Sequence, residues 1–325
     1  MISVIIPAHN AERTIKGCVG ALLSQDYGGE YEIIVADDGS TDGTAKALKG
    51  FPKGKVRLLR LGHKGPAAAR NAGAGQAKGD IVLFTDADCI PGRDWVSQMA
   101  RPFLRRNITG VQGAYKTRQR GIVARFAQLE IEERYSRLAM QEYTDWIGSY
   151  SAGYRKAAFL EFGGFDESYP MASGEDPDLS YKMARAGYKL VFNQSAVVYH
   201  MHPETLSRYA KQKYWRAVWR VRLYKKNKEK IASESYTPWS LKLQIALFYL
   251  FFISAIALPL SGSQLIVAVI CIAFLLSTIP LSIPNARKDA FAGIATPFFV
   301  VVRTAAFASG LLRGYLLLLS GAMKD

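Results

Sequence analysis

The sequence predicts an α/β protein: a mostly parallel, Rossmann-like sheet covered by helices, followed by C-terminal transmembrane or interfacial helices. Three observations carry this expectation. Short apolar runs alternate with helical segments through residues 1–90. The loops after three of those runs are polar, and two of them are acidic. Beyond about residue 240 the chain becomes mostly apolar.

Taken in order, Ser3–Ile6 reads as a strand. Ala11–Gln25 has helical spacing, with Ile15, Cys18, Val19 and Leu22 on one face and Asn10 as its N-cap. Tyr31–Ala36 is a second strand, followed by "DDGSTDGT" and a helix through Leu48. Val56–Leu61 is a third strand, Pro66–Ala77 an alanine-rich helix, and Ile81–Thr85 a fourth strand. Strands separated by helices of this length imply βαβ units and hence a parallel sheet. In such sheets ligands bind beyond the carboxyl ends of the strands. That rule gathers "PAHNAE", "DDGSTDGT" and "DADC" on one rim.

The bulk composition narrows the partners. With 42 Lys plus Arg against 27 Asp plus Glu, the net charge is +15, which fits nucleic acid, an anionic membrane or a phosphorylated substrate. Three cysteines, Cys18, Cys89 and Cys271, have no CxxC spacing, so a zinc site or disulfide framework is not expected and a reducing compartment is the default. No basic segment with an apolar core precedes the first strand, so no signal peptide is expected.

Acidic turns after strands are often Asx-turns and caps, a reading that suits Asp42 and Gly43. Four carboxylates on one rim, Asp37, Asp38, Asp86 and Asp88, repel one another unless a cation or hydrogen-bond donors intervene. Mg²⁺ and Mn²⁺ are commonly held by one or two carboxylates plus substrate phosphates, and Asp86-Ala87-Asp88 can supply such a site. A P-loop is absent, and "GAGQAKG" ends a helix rather than following a strand. Cys89 reads as a small packing residue, not a ligand.

The stretches "SVIIPAHNAERTI", "EIIVADDGSTDGT", "GPAAARNAGAGQAKGDIVLFTDADC" and "GGFDESYPMASGEDPDLSYKMARAGYKL" resemble glycosyltransferase family 2, with a GT-A fold, in family order and spacing over roughly residues 1–215. The resemblance implies that Pro7, Ala8, Asn10 and Glu12 line a nucleotide pocket. Asp37 or Asp38 would bind the base, and Arg70 and Asn71 would contact the nucleotide near the metal. Asp86 would bind ribose or metal and Asp88 the metal. His200 is a candidate further metal ligand, with a structural histidine as the alternative. Asp176 would be the general base, with Glu175 beside it facing diphosphate or acceptor. His9 is a candidate nucleotide contact and His63 a surface-loop residue. The residues themselves also allow Asp176 to be an N-cap with Pro177 at the first helical position, where the helix dipole would keep the carboxylate ionised. The family's QxxRW motif stands here as Gln212-Lys213-Tyr214-Trp215-Arg216, with its last two residues transposed. That departure favours single-sugar transfer, and leaves Gln212, Trp215 and Arg216 as contacts for diphosphate or acceptor.

Three regions are expected: a catalytic domain over 1–205, a basic juxtamembrane helix over 206–238 and a membrane domain over 239–325. Residues 208–230 carry ten Lys or Arg and one acid, with Tyr209, Tyr214, Trp215 and Trp219 interleaved. Its place before an apolar segment favours anionic membrane lipids over nucleic acid as the partner. Stretches 241–260 and 265–283 are long enough to span, joined by the turn "SGSQ". Arg287 and Lys288 then return to the side of the basic helix, which the positive-inside rule makes cytoplasmic. Ala290–Leu319 is interrupted by Arg303 and Arg313, so an interfacial helix or helix pair is expected there, with a third span as the alternative. The expected protein is an inverting, metal-dependent, multi-pass cell-membrane glycosyltransferase. It would use a nucleotide-sugar and a lipid-linked acceptor hydroxyl, or alternatively a polyprenyl phosphate. A nucleotidyltransferase and a non-catalytic nucleotide-sugar or lipid-binding scaffold are the competing classes, and homo-oligomerisation stays open.

Overall fold

In a computed structural model, residues 1–169, 174–235, 237–261 and 264–323 are described. Residues 170–173 of the "GGFDESYPMASGED" stretch, and the expected turn at 262–263, lie outside them. The chain divides into two compact units: 1–118 with 135–201, and 119–134 with 202–325.

The first unit opens with β1 (Ile2–Ala8), α1 (Ile15–Leu23), β2 (Tyr31–Asp37), the short α2 (Thr44–Ala47), β3 (Val56–Arg60), α3 (Pro66–Gly75) and β4 (Ile81–Thr85). These were legible because strands buried on both faces read as unbroken apolar runs, and every residue of β2 is buried. The fourth strand has the expected bounds. The helix after β2 is only four residues long and stops at Ala47, not Leu48. Thr14, not Asn10, precedes α1. Asn10 is instead in a left-handed conformation, φ 50°, which turns it away from a capping role.

After β4 follow β5 (Ile90–Pro91), α4 (Trp95–Ala100), β6 (Ile108–Lys116), α5 (Ile122–Leu138), β7 (Ser151–Arg155), α6 (Lys156–Glu161), α7 (Glu175–Arg185) and β8 (Lys189–Tyr199). Among the described residues the strands form one sheet in the order β3-β2-β1-β4-β7-β6-β8-β5. Strands β1 to β4 are parallel. β7 runs antiparallel to β4 and β6, and β6 pairs parallel with β8. The parallel half points the loops after β1, β2, β3 and β4 to a single edge. A core of Ile5, Phe84, Tyr154, Phe159, Phe165 and Leu190 lies under it.

The second unit holds α8 (Leu206–Lys226), α9 (Lys230–Ser233), α10 (Trp239–Ser261), α11 (Gln264–Leu276), α12 (Ile279–Lys288) and α13 (Ala290–Leu319), together with the first part of α5. Three stretches, Trp239–Leu258, Gln264–Lys288 and Ala290–Leu319, are long and apolar enough to cross a membrane. The last is one continuous helix of 30 residues, which excludes the helix pair and leaves the single interfacial helix or the third span. Its Arg303 is buried, bonding Glu130 at 2.9 Å and Gln244 at 2.6 Å. The arginine that argued against a membrane span thus has protein partners. Gly310 and Gly314 let α13 press against α8: a Cβ on Gly314 would meet the carbonyl of Val218 at 2.7 Å. The basic α8 is accordingly a packed helix, with Tyr209, Lys213, Val218 and Arg222 buried, and not only a solvated charged face.

Glu130 anchors this unit. It accepts from Lys213 Nζ at 2.8 Å and from Tyr209 Oη at 2.7 Å as well as from Arg303. Burial opposes its charge, but Lys213, Arg303 and Arg134 outweigh that and hold the carboxyl well below the usual range. Burial also draws the Lys213 amine down, to about 7, against the pull of Glu130; the 2.8 Å contact favours the ionised pair. Removing one member of a buried ion pair costs about 3–5 kcal/mol. Glu130→Ala should therefore lower the unfolding free energy of the detergent-solubilised protein by at least about 3 kcal/mol. An unchanged denaturation midpoint would show that the network contributes nothing.

Candidate active site

The first two rim loops are tied to each other. Asn10 Oδ1 accepts from Thr41 N at 2.9 Å, and Asn10 N donates to Ser40 Oγ at 2.9 Å. Ala11 N donates to Thr44 Oγ1 at 2.8 Å, and Glu12 Oε2 accepts from Gly43 N at 3.1 Å. Asn10 and Glu12, expected in the nucleotide pocket, are thus occupied in bracing "PAHNAE" against "DDGSTDGT", and neither lines the cavity described next. Asp37 likewise holds its own turn, accepting from Ser40 N at 3.0 Å.

A cavity of about 550 Å³ opens at the carboxyl edge. It is lined by Pro7, Ala8 and His9 from the first loop, Asp38 from the second, and Asp86 and Asp88 from the fourth. His63, Lys64, Gly65, Pro66, Ala69, Arg70 and His200 complete it. Sequence reasoning missed the residues after β3, although the rule that gathered the other loops applies equally to this parallel strand. Asp38 holds that loop in place: its two carboxylate oxygens accept from Lys64 N at 2.7 Å and Gly65 N at 2.8 Å. His9 and His63 face each other with ring centroids 4.4 Å apart, and the Nδ1 of each lies within 3.2 Å of the Asp38 carbonyl oxygen. His63, expected in a surface loop, is exposed there and also lines the cavity.

Arg70 is the charged centre of the rim. Its side chain is 3 % exposed, and it donates to Asp86 Oδ1 at 2.7 Å and Glu175 Oε1 at 3.2 Å. Asn71 faces elsewhere, donating to the Phe165 carbonyl at 2.7 Å and accepting from Phe165 N at 2.9 Å. It clamps the 165–167 turn and does not line the cavity. Glu175 is committed to Arg70 and to Gly174 N, 3.1 Å away, rather than facing a ligand.

Asp176 is on the second position of α7, whose cap is Gly174; it is not the N-cap, and Pro177 follows it inside the helix. Asp176 Oδ2 accepts from Ser149 N at 3.0 Å. Burial, and then the charge of neighbouring Glu175, raise its carboxyl from the ordinary 3.8 to about 7. The expectation of a weakly basic carboxylate kept ionised by the helix dipole is thereby reversed: desolvation outweighs the dipole.

Among the described residues, the ligand atoms of Asp88, His200 and Cys89 lie within 4.8 Å of one another. Asp88 Oδ1 is 3.7 Å from His200 Nδ1. Asp86 is drawn to Arg70 and stands outside this group. The donor set fits a divalent ion. Gln212, Trp215 and Arg216 are on α8 of the second unit and are not among the cavity residues.

A cavity of acidic and cationic groups at the carboxyl edge of a parallel sheet, in a fold of this topology, defines a GT-A domain. Residues 3–161, just under half of the chain, match the family model described as Glycosyl transferase family 2. It is 29% identical over 208 residues to the pre-mycofactocin glycosyltransferase of Mycobacterium tuberculosis, covering 62% of this chain and 43% of that protein. It is 32% identical over 117 residues to the UDP-Glc:alpha-D-GlcNAc-diphosphoundecaprenol beta-1,3-glucosyltransferase WfgD of Escherichia coli, covering 36% and 46%. The chain thus spans about half the length of these relatives. The mannosyltransferase PcManGT of Pyrobaculum calidifontis, solved with GDP-Man and Mn²⁺, shares the fold: TM-score 0.61, 22% identity, 98% of this chain and 86% of that one.

The rim geometry makes Arg70 testable. Arg70→Ala leaves two carboxylates facing an emptied position, and should destabilise the protein by about 3–5 kcal/mol. Pairing Arg70→Met with Glu175→Gln should recover part of that loss in thermal unfolding. Equal stability of all variants would exclude the bridge as a structural element.

Proposed function

We propose that this chain transfers a sugar from a nucleotide-sugar to a hydroxyl of a lipid-linked or membrane-proximal acceptor, with inversion at the anomeric carbon. The observation that supports this reading is the cavity at the carboxyl edge, lined by Asp38, Asp86, Asp88, Lys64, Arg70 and His200, with Asp176, whose carboxyl burial and Glu175 raise, on the same unit. Lys64 and Arg70 supply positive charge to the cavity. Asp88 and His200 would hold a Mg²⁺ or Mn²⁺ ion, which when bound supplies Lewis-acid charge to a diphosphate leaving group. Pro7, Ala8 and the paired imidazoles of His9 and His63 form apolar and aromatic wall for the nucleoside, and Asp38 holds the Lys64–Gly65 backbone that completes it. Asp176 takes the proton of the acceptor hydroxyl as general base. Glu175 is held by Arg70, so it does not act as a second carboxylate nucleophile, and a single base favours direct displacement.

The acceptor reading draws on two supports. WfgD carries a diphosphoundecaprenol-linked acceptor in its name. The three long apolar helices would anchor this chain in the cell membrane, with Arg287, Lys288 and the exposed basic residues of α8 toward anionic lipid on the cytoplasmic side. A polyprenyl phosphate is already ionised and needs no base, so the basicity of Asp176 favours a hydroxyl.

Two outcomes follow. A general base must be ionised, so kcat/KM should rise with pH through about 7 and level off above it. Asp176→Asn should remove that limb and cost about 10²- to 10⁴-fold. The sign for stability is opposite. A carboxyl raised from 3.8 to about 7 on folding binds its proton more tightly when folded. Its contribution is therefore present at low pH and lost as pH rises across that window. Asp176→Asn should then gain in melting temperature over the parent at pH 8 but not at pH 4. An activity profile flat in pH would sink the base assignment.

The second outcome concerns substrates. In a panel of nucleotide-sugars with Mn²⁺, transfer to a lipid-linked glycan should exceed transfer to polyprenyl phosphate. Asp88→Ala should lower the rate by about 10²- to 10³-fold. Polyprenyl-phosphate-sugar as the sole product would overturn the acceptor assignment.

A further inference from the structure

Three consecutive backbone amides of the segment before β7 donate to three different side chains. Ile147 N donates to Ser180 Oγ at 3.0 Å, Gly148 N to Gln112 Oε1, and Ser149 N to Asp176 Oδ2 at 3.0 Å. Ser180 and Gln112 are fully buried. Ser180 is one turn beyond Asp176 on α7, and its hydroxyl donates to the Asp176 carbonyl oxygen at 2.8 Å. Gln112 is part of β6, opposite Ala152 of β7. Aromatic rings hold the same segment. A Cβ on Gly148 would lie 2.5 Å from the Tyr150 ring and 2.7 Å from the Trp146 ring, so the two rings close on the backbone there. Tyr150 stacks on Tyr115 with centroids 3.6 Å apart. Its hydroxyl shares a 2.8 Å hydrogen bond with that of Tyr135, which accepts from Tyr115 N at 2.7 Å.

Resting on the assignment of Asp176 as general base, we propose that Ser180 and Gln112 are positioning residues for the transfer: by fixing the amides of Ile147 and Gly148 they hold the Ser149 amide against the Asp176 carboxylate and so set its direction. Two of the three amides end on neutral side chains that the reaction leaves unchanged. Only the third ends on a group that gains a proton. A base acts only from within hydrogen-bond reach of the proton it takes, so a braced carboxylate is worth more than a freely turning one. The brace also acts on charge, because an N–H donor favours the ionised carboxylate. Burial and then Glu175 raise the Asp176 carboxyl, and the Ser149 amide and Arg70 oppose them. The titratable groups acting on Asp176 are thus Glu175 on its own helix, Arg70 of α3 and Tyr154 of β7. Replacing Ser180 or Gln112 loosens the amide and deletes none of those charges. Neither residue lines the cavity, so binding of the nucleotide-sugar does not depend on them directly.

The test is a pH series of transfer rates on the full chain in detergent, with nucleotide-sugar and Mn²⁺. Ser180→Ala and Gln112→Leu should each lower kcat near neutral pH by at least about tenfold, with the KM for the nucleotide-sugar close to the parent's. Each should also move the rising limb of kcat/KM to higher pH by about one unit. The sign follows from the lost donor: without an N–H on Oδ2 the carboxylate binds its proton more tightly and ionises at higher pH. Ser180→Thr keeps the hydroxyl and should restore both the limb and the rate. Nucleoside diphosphate binding close to the parent's identifies folded variants, and the two anchors are on separate elements, so loss of one variant leaves the other as the test. A limb that stays in place in the folded variants, whatever their rate, would overturn the positioning assignment and leave Asp176 standing as the base. A parent profile without the limb, together with an active Asp176→Asn, would overturn the base assignment and this proposal with it.

Discussion

The rim depends on one buried guanidinium. Arg70 reaches from α3 to Asp86 at the end of β4 and to Glu175 at the start of α7, and is almost entirely removed from solvent. A planar group with donors in a fixed fork can satisfy two carboxylates at once where an ammonium cannot. The pairing has two effects. It holds Asp86 at 2.7 Å, apart from the cluster of Asp88, His200 and Cys89. It also commits Glu175 to the fold, so that Asp176 is the carboxylate beside it whose proton affinity burial can raise. The division of labour among four neighbouring acids thus follows from where one arginine sits.

The parallel half of the sheet was legible because its strands are apolar on both faces and its loops carry the turn chemistry. The later strands were not, since β7 reads "SAGYR" and β6 contains two glycines, neither of which shows periodicity. The acidic and amide residues of the loops were visible, but their partners were not. Asn10, Glu12 and Asn71 look like ligand contacts in sequence, and only the folded loops show their hydrogen bonds spent on Thr41, Gly43 and Phe165. Conversely, the place of His63 in the cavity wall was not legible because its neighbour His9 is 54 residues away.

The charged residues of the C-terminal half illustrate the same limit. An arginine in an apolar stretch is costly in isolation, and its cost disappears only when Glu130 and Gln244 are known to meet it. The basic run of α8 similarly mixes buried Lys213 and Arg222 with exposed Arg208, Lys211 and Arg216. Composition counts these alike, though only the exposed ones are free to meet a phosphate surface.

The chain crosses between its two units at three places, near residues 118, 134 and 201. Residues 119–134 are an excursion from the catalytic part that lends Val123, Phe126 and Glu130 to the helical part. A fragment cut after residue 205 would therefore not be a clean soluble enzyme. It would carry a stranded amphipathic segment, its Phe126 uncovered and Glu130 parted from Lys213 and Arg303. Expression of such a fragment calls for redesign of that segment.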